Sequence, residues 1–278
     1  MKQLNLRTLT IALLTLAVSL AGSLAGARAL SCESLFKSGG VEYRAHNPTA
    51  ALNAADYTSI NNRTMAQYSS SLLGGKSNYA KLVRKGDFVL DLGGGRGQAM
   101  WDLANQVEIE AVVINTQDYS TEFHRQPAKG RLSYRTGWVE EVLPSVPSNS
   151  AAVVFDMFGA FTYSPRKDLI VQEALRVLKP GGSAFLLFDF TVTPAFVQTS
   201  HGLQRFDEYL VERWPANFKS RSVFESGRAM RVIEIRKPKS FLRWLSPATE
   251  LLLPLEVVKI ETATRGRATV PHVLFREP

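Results

Sequence analysis

The stretch Phe88-Val-Leu-Asp-Leu-Gly-Gly-Gly-Arg-Gly-Gln98 decides how the rest of the chain is interpreted. It begins as a short apolar run that predicts a β-strand, turns through three consecutive glycines and continues into a predicted helix over residues 98–104. A strand that ends at a glycine turn and leads into a helix forms a crevice at the carboxyl edge of an open α/β sheet, where ligands bind. Glycine also allows positive φ and a close approach of the ligand to the backbone.

Three kinds of ligand site compete for such a turn. A phosphate-binding P-loop needs a Gly-Lys-Ser/Thr ending, which is absent. The dinucleotide pattern G-x-G-x-x-G, counted from Gly93 and Gly95, meets Gln98 where its third glycine belongs. The pattern present is Asp91-x-Gly93-x-Gly95-x-Gly97. A carboxylate beside the turn favours a cationic ligand without phosphate, and a turn that merely joins strand to helix stays open.

This pattern resembles motif I of the class I S-adenosylmethionine (SAM) dependent methyltransferases. The resemblance implies SAM as cofactor, held by Asp91, Gly93, Gly94, Gly95 and Gly97. A carboxylate on the strand and a bare backbone after it suit a cationic nucleoside such as SAM.

A second string supports the same family. Residues 173–188, Glu-Ala-Leu-Arg-Val-Leu-Lys-Pro-Gly-Gly-Ser-Ala-Phe-Leu-Leu-Phe, resemble the R-V-L-K-P-G-G motif that precedes the fifth strand in many class I methyltransferases. Its role there is structural. The resemblance covers about residues 80–276 and implies an α/β fold, with a seven-stranded, mostly parallel, doubly wound sheet, helices on both faces and an antiparallel last strand. We expect residues 272–275 to be that last strand and residues 201–214 to form an amphipathic helix.

The resemblance assigns further site residues, with departures from the family pattern. Asn115 ends the second strand, where the family has an acid that binds the ribose diol. Trp138 stands where the family has an aspartate that binds the adenine amino group. Val139 stands where the family has the neighbouring residue that packs on the adenine ring. Asp156 ends the fourth, apolar strand near the methyl donor, and Tyr163 is a candidate wall of the acceptor site. For Trp138 and Tyr163 ordinary core packing remains the alternative, and for Asp156 a turn.

Composition limits the function classes. The 278 residues are 45% hydrophobic, enough for one substantial core with appendages. The net charge of +8 is scattered along the chain, which favours a solvated surface over a nucleic-acid site. A single cysteine, Cys32, excludes an intrachain disulfide, and the four histidines match no metal-ligand spacing, so we expect no metal site.

The amino terminus predicts export. Residues 1–29 have a basic start, an apolar run and an A-x-A cleavage site, as in a secretory signal. Cleavage, retention as a membrane anchor and lipidation at Cys32 remain open. The predicted location is exported or periplasmic, or cytoplasmic if the segment is not used. Since SAM is made in the cytosol, export leaves the supply of cofactor unexplained.

The predicted organisation has three parts: the signal or anchor at 1–29, a helical or irregular cap at 30–80 and a methyltransferase-like domain at 81–278. Within the last part, residues 240–258 form an insertion between the final two strands. This insertion is an acceptor lid, a membrane-surface element or a plain helical insertion. The amino terminus is a second candidate for contact with a membrane surface.

The function predicted is transfer of a methyl group from SAM to an unidentified acceptor, most simply a small molecule, with no catalytic residue assigned. Three alternatives remain. An aminopropyltransferase of the spermidine synthase type shares the triple glycine but usually has an acid where Arg96 stands. A non-catalytic SAM- or nucleoside-binding module is suggested by Asn115, Trp138 and the export signal. An NAD-dependent oxidoreductase is disfavoured by Gln98.

Overall fold

The computed structural model describes residues 63–74, 82–121, 126–190, 194–225, 228–239, 255–265 and 268–277. The predicted signal, most of the predicted cap and residues 240–254 of the predicted insertion lie outside these ranges, so those assignments stay predictions. No helix within the described ranges is both long and apolar enough to span a membrane.

The described helices and strands alternate along the first half of the chain, and strands dominate the second. The helices are α1 (Met65–Leu73), α2 (Gln98–Gln106), α3 (Val139–Val142), α4 (Ala160–Tyr163), α5 (Lys167–Val177) and α6 (Phe206–Arg213). The strands are β1 (Phe88–Leu92), β2 (Glu110–Asn115), β3 (Arg131–Thr136), β4 (Ala151–Met157), β5 (Leu178–Phe188), β6 (Ala195–Thr199), β7 (Gly202–Arg205), β8 (Phe218–Glu225), β9 (Arg228–Arg236), β10 (Glu256–Arg265) and β11 (Ala268–Arg276).

Seven of the strands form one sheet in the order β3-β2-β1-β4-β5-β9-β8. Strands β1 to β5 are parallel, while β9 is antiparallel to both β5 and β8. Both faces are covered: Met100 and Leu103 of α2 pack on one, and Ile170 and Ala174 of α5 on the other. The predicted fold class, a seven-stranded doubly wound sheet with an antiparallel end, is confirmed.

The order of the sheet locates the crevice. The chain runs outward from β1 to β2 and β3 on one side, then returns to β4 on the other side of β1. Such a reversal of strand order opens a crevice at the carboxyl ends of the central strands, because the two connections leave in opposite directions. The glycine turn follows β1 and therefore lies at this point.

Two details of the carboxyl-terminal half were predicted wrongly. Residues 272–275 belong to β11 of a separate four-stranded sheet, ordered β10-β11-β6-β7, and the seventh strand of the large sheet is β8 instead. The predicted helix over 201–214 is the short strand β7 followed by α6. The physical reason is the parallel pairing of β11 with β6, which buries Val273 and Phe275 in the core of the large sheet.

Candidate cofactor and acceptor site

The glycine turn after β1 has a left-handed backbone at alternate residues. Gly93, Gly95 and Gly97 have φ of 74°, 58° and 82°, a region that side chains with a Cβ adopt at a cost. The amide of Gly93 donates to the carbonyl of Ile114 at 2.7 Å, which ties the turn to β2. Helix α2 begins directly afterwards at Gln98, so the turn presents its backbone and a helix amino terminus at the crevice.

Asn115 braces this turn through a reciprocal pair of hydrogen bonds. The Gly95 amide donates to Asn115 Oδ1 at 2.9 Å, and Asn115 Nδ2 donates to the Gly95 carbonyl at 2.7 Å. The side chain is buried. From the sequence we expect the Asn115 side chain to bind the ribose diol of a ligand. In the structure its amide instead holds the left-handed Gly95 in place.

The other described glycines of the turn are explained by packing within the protein. A Cβ on Gly93 would lie 2.5 Å from Cα of Gly159, and one on Gly94 would lie 2.2 Å from a carboxylate oxygen of Asp91. A Cβ on Gly97 would lie 2.9 Å from the hydroxyl of Tyr134. These three positions therefore exclude side chains because the chain itself approaches closely, independently of any ligand.

Tyr134 on β3 fixes the far end of the turn. Its hydroxyl donates to the carbonyl of Arg96 at 2.6 Å. The strand prediction places this residue at the neighbouring edge strand, but no sequence pattern indicates that its hydroxyl reaches the turn.

Asp91, at the end of β1, is fully buried beneath the turn. The Tyr68 hydroxyl of α1 donates to its two oxygens at 3.1 and 2.9 Å. Burial raises the pKa of Asp91 to about 7, opposed by the hydrogen bond from Tyr68 and the positive charge of Arg63. Burial also raises the pKa of Tyr68 well above its ordinary value, so the phenol keeps its proton. The site thus holds a carboxyl that titrates near neutrality.

Asp156, at the carboxyl end of β4, organises the segment that follows. Its two oxygens accept hydrogen bonds from the amides of Gly159 and Phe161, each at 2.8 Å. Burial raises the pKa of Asp156 strongly, although the two hydrogen bonds act to lower it. Phe158, which lies between Asp156 and Gly159 in the chain, adopts a φ of 56°. This conformation is unusual for a bulky residue, and such strain is concentrated at functional sites.

The remaining predicted site residues lie around the same edge. Trp138 precedes α3 and is partly exposed, in a segment tied to β2 by the bond from the Gly137 amide to the Asn115 carbonyl at 2.8 Å. Val139 is buried in the core. Tyr163 ends α4 and is partly buried, and burial raises the pKa of its hydroxyl.

Two charged residues of this region carry no sequence signal. Arg63, just before α1, donates from Nη1 to the Met157 carbonyl at 3.2 Å, and its guanidinium lies 4.8 Å from the centre of the Phe158 ring. Lys167 is fully buried, and its Nζ donates to the carbonyls of Thr162 and Ser164 at 3.2 and 2.9 Å. Burial lowers the pKa of Lys167 to about 7. Both sets of contacts depend on loops whose course the sequence does not specify.

Comparisons with known proteins agree with the Rossmann-like class that this architecture defines. Residues 89–182 match the sequence model of a family described as a methyltransferase domain. Residues 89–182, which run from β1 into β5, are therefore similar to a methyltransferase domain. No curated protein sequence matches the chain.

Several solved structures of low sequence identity are similar to parts of this chain. A protein assigned as a sarcosine dimethylglycine methyltransferase from Galdieria sulphuraria is 17% identical, with a TM-score of 0.44, over 60% of this chain and 84% of that one. A protein assigned as a SAM-dependent methyltransferase from Listeria monocytogenes is 16% identical, also with a TM-score of 0.44, over 57% of this chain and 95% of that one. Geranyl diphosphate C-methyltransferase from Streptomyces coelicolor is 13% identical, with a TM-score of 0.38, over 56% of this chain and 72% of that one.

Proposed function

We propose that the chain is a methyltransferase that binds SAM at the glycine turn and transfers its methyl group to a small-molecule acceptor. The observation that carries the proposal is the left-handed glycine turn between β1 and α2, which lies at the switch point of the sheet inside the matched domain. Such a turn offers backbone groups rather than bulky side chains to a ligand.

The residues around the turn fit SAM through backbone and charge more than through side-chain hydrogen bonds. Gly95 and the start of α2 would lie along the ligand, and Trp138 with Val139 would flank the adenine. Asp91, whose pKa is about 7, would supply a negative charge when it is ionised. The amide of Asn115 and the carboxylate of Asp156 instead brace the loops on either side. The cofactor would therefore lack the charge-assisted bond to ribose that a carboxylate at position 115 would provide.

In this reaction the protein acts mainly by aligning the acceptor with the methyl donor. SAM, when bound, supplies an activated methyl group on a sulfonium. The chain has to hold the acceptor in line with that group, and such positioning can contribute about 7–11 kcal/mol to lowering the barrier. The loop after β4 is suited to this task because Asp156 at its start and Lys167 at its end fix it with buried hydrogen bonds.

Calorimetric titration with SAM and with S-adenosylhomocysteine tests the proposal. We expect saturable binding of both, and identification of a nucleoside on the purified protein by mass spectrometry. An absence of binding at millimolar ligand would contradict the proposal and favour a non-catalytic scaffold. That alternative is consistent with the hydrogen bonds that join Asn115 to Gly95 and Asp156 to Gly159.

Parallel titrations separate the other reactions. Decarboxylated SAM as the preferred ligand would indicate an aminopropyltransferase, and NAD as the preferred ligand would indicate an oxidoreductase. Fractionation of the native host addresses the predicted export, because residues 1–29 lie outside the described part of the chain.

A further inference from the structure

We infer that Arg63 is the anchor for an anionic group of the acceptor, so that the substrate class is a small molecule carrying a carboxylate. The inference rests on the proposed function and specifies the acceptor side of the same site. It makes Arg63 a binding residue of the crevice at the carboxyl end of β4.

The position of Arg63 follows from two contacts with the end of β4. Its Nη1 donates to the carbonyl of Met157, the last residue of that strand, and its guanidinium lies 4.8 Å from the ring centre of Phe158. The carboxyl end of β4 is one wall of the crevice that opens beside β1. Arg63 is partly exposed.

The charge of Arg63 reaches both walls of the crevice. It opposes the rise in the pKa of Asp91 on β1, and it lowers the pKa of Tyr163 on the loop after β4 against the larger effect of burial. Arg63 is therefore within electrostatic reach of a group on β1 and a group that follows the adjacent strand β4. An acceptor bound between the same strand ends would meet this charge.

Arg63 is held in place before any ligand arrives. The next residue, Thr64, caps α1 through a capping box with Gln67. The amide of Met65 is fixed as well, since it donates to Asp102 Oδ2 of α2 at 2.9 Å. A binding group fixed by the scaffold loses little conformational entropy when the ligand binds.

A carboxylate is the ligand that this arrangement favours. Guanidinium groups bind carboxylates through two parallel charge-assisted bonds, which are stronger than bonds to neutral acceptors such as the Met157 carbonyl. A carboxylate would therefore replace neutral acceptors such as the Met157 carbonyl, so the inference requires the charge and the position of Arg63 and does not require an unoccupied N–H group. Phe158 and Tyr163 supply aromatic surface beside it, so an aromatic carboxylate is a suitable probe.

Benzoate and benzamide test the inference, since they differ in charge but share a ring. Their dissociation constants would be measured by ligand-observed NMR on the full chain, with and without S-adenosylhomocysteine. The variants are Arg63→Gln, which removes the charge, and Arg63→Lys, which keeps the charge without the planar fork. Arg84→Gln is the matched control, because Arg84 is an exposed arginine that precedes the amino-terminal end of β1, away from the crevice.

We expect wild-type protein and Arg84→Gln to bind benzoate at least about tenfold more tightly than benzamide. Arg63→Gln should lose that difference, and Arg63→Lys should keep part of it. Equal binding of the two probes by the wild type, no detectable benzoate binding, or an unchanged preference in folded Arg63→Gln would overturn the inference. Failure of the proposed function would instead appear as absence of S-adenosylhomocysteine binding, which is measured separately.

Discussion

The most informative single residue is Asp91, a carboxyl buried at the end of the central strand. Its pKa is raised to about 7 from the 3.8 of an exposed aspartate. Folding therefore favours the neutral form. The stability that this proton linkage provides is complete below about pH 4 and is lost as the pH rises through about 7.

Replacing Asp91 by asparagine should remove this dependence. The side-chain amide introduced by Asp91→Asn would still accept the hydrogen bond from Tyr68 but carry no charge at any pH. We expect the variant to gain stability over wild type between pH 5 and pH 8, by an amount on the order of a few kcal/mol. Urea unfolding at several pH values measures this, with Glu110→Gln, an exposed carboxyl on β2, as control. Parallel pH profiles for wild type and Asp91→Asn would contradict it.

Gly95 tests whether a ligand lies on the turn. Asparagine tolerates the left-handed conformation, so Gly95→Asn adds bulk with little backbone strain, whereas valine would add both. We expect folded Gly95→Asn to bind SAM at least about tenfold more weakly by calorimetry. Gly86→Asn is the matched control, since Gly86 has φ of 81° and open space around its Cβ direction. Unchanged affinity in Gly95→Asn would place the ligand elsewhere.

The sequence indicates where the glycine turn lies but not why each glycine is needed. Alternate glycines after an apolar run are visible in the sequence, whereas the contact of Gly93 with Gly159 joins segments 66 residues apart. The same holds for the Asn115 amide, which the family pattern assigns to a ribose and the structure assigns to Gly95. Contacts between distant segments depend on the relative placement of strands, which a local pattern does not encode.

At the scale of elements, the parallel strands were predictable and the second sheet was not. Strands β1, β2 and β4 are buried on both faces and therefore appear as continuous apolar runs. Strand β8 lies at the edge of the sheet. Exposed positions along it are Lys219, Ser222 and Phe224, so polar and apolar residues do not alternate regularly in its sequence. Its place in the sheet is decided by pairing with β9.

Tyr134 on the edge strand β3 links that strand to the glycine turn. Tyr134→Phe keeps the ring beside Gly97 but removes the hydroxyl that donates to the Arg96 carbonyl. We expect a loss of about 1 kcal/mol in the free energy of unfolding and weaker binding of S-adenosylhomocysteine, because the turn is less firmly held. Denaturant unfolding and calorimetry measure the two effects. Full stability together with full affinity would mean that the bond does not fix the turn.

At the scale of the whole molecule, the four-stranded sheet and the seven-stranded sheet share one core. Val273 and Phe275 of β11 belong to the same buried cluster as Leu186 of β5 and Ile233 of β9. The ring of Phe275 lies 5.5 Å from that of Phe206 on α6, between centroids. In the region the structure describes, the carboxyl-terminal strands are thus part of the same packed unit as the seven-stranded sheet.

Phe275→Ala tests this shared core. Phe275 is fully buried, so its truncation should cost about 3–5 kcal/mol and lower the midpoint of a single cooperative unfolding transition. Leu203→Ala is the control, because Leu203 lies in the same four-stranded sheet but is 59% exposed, and its loss should change the stability little. If the two sheets were independent units, Phe275→Ala would shift only one of two transitions. In that case tryptophan fluorescence from Trp101, which lies on α2 and packs against the core of the seven-stranded sheet, would report unfolding at the wild-type denaturant concentration. A coincident shift of fluorescence and circular dichroism would establish that both sheets unfold together.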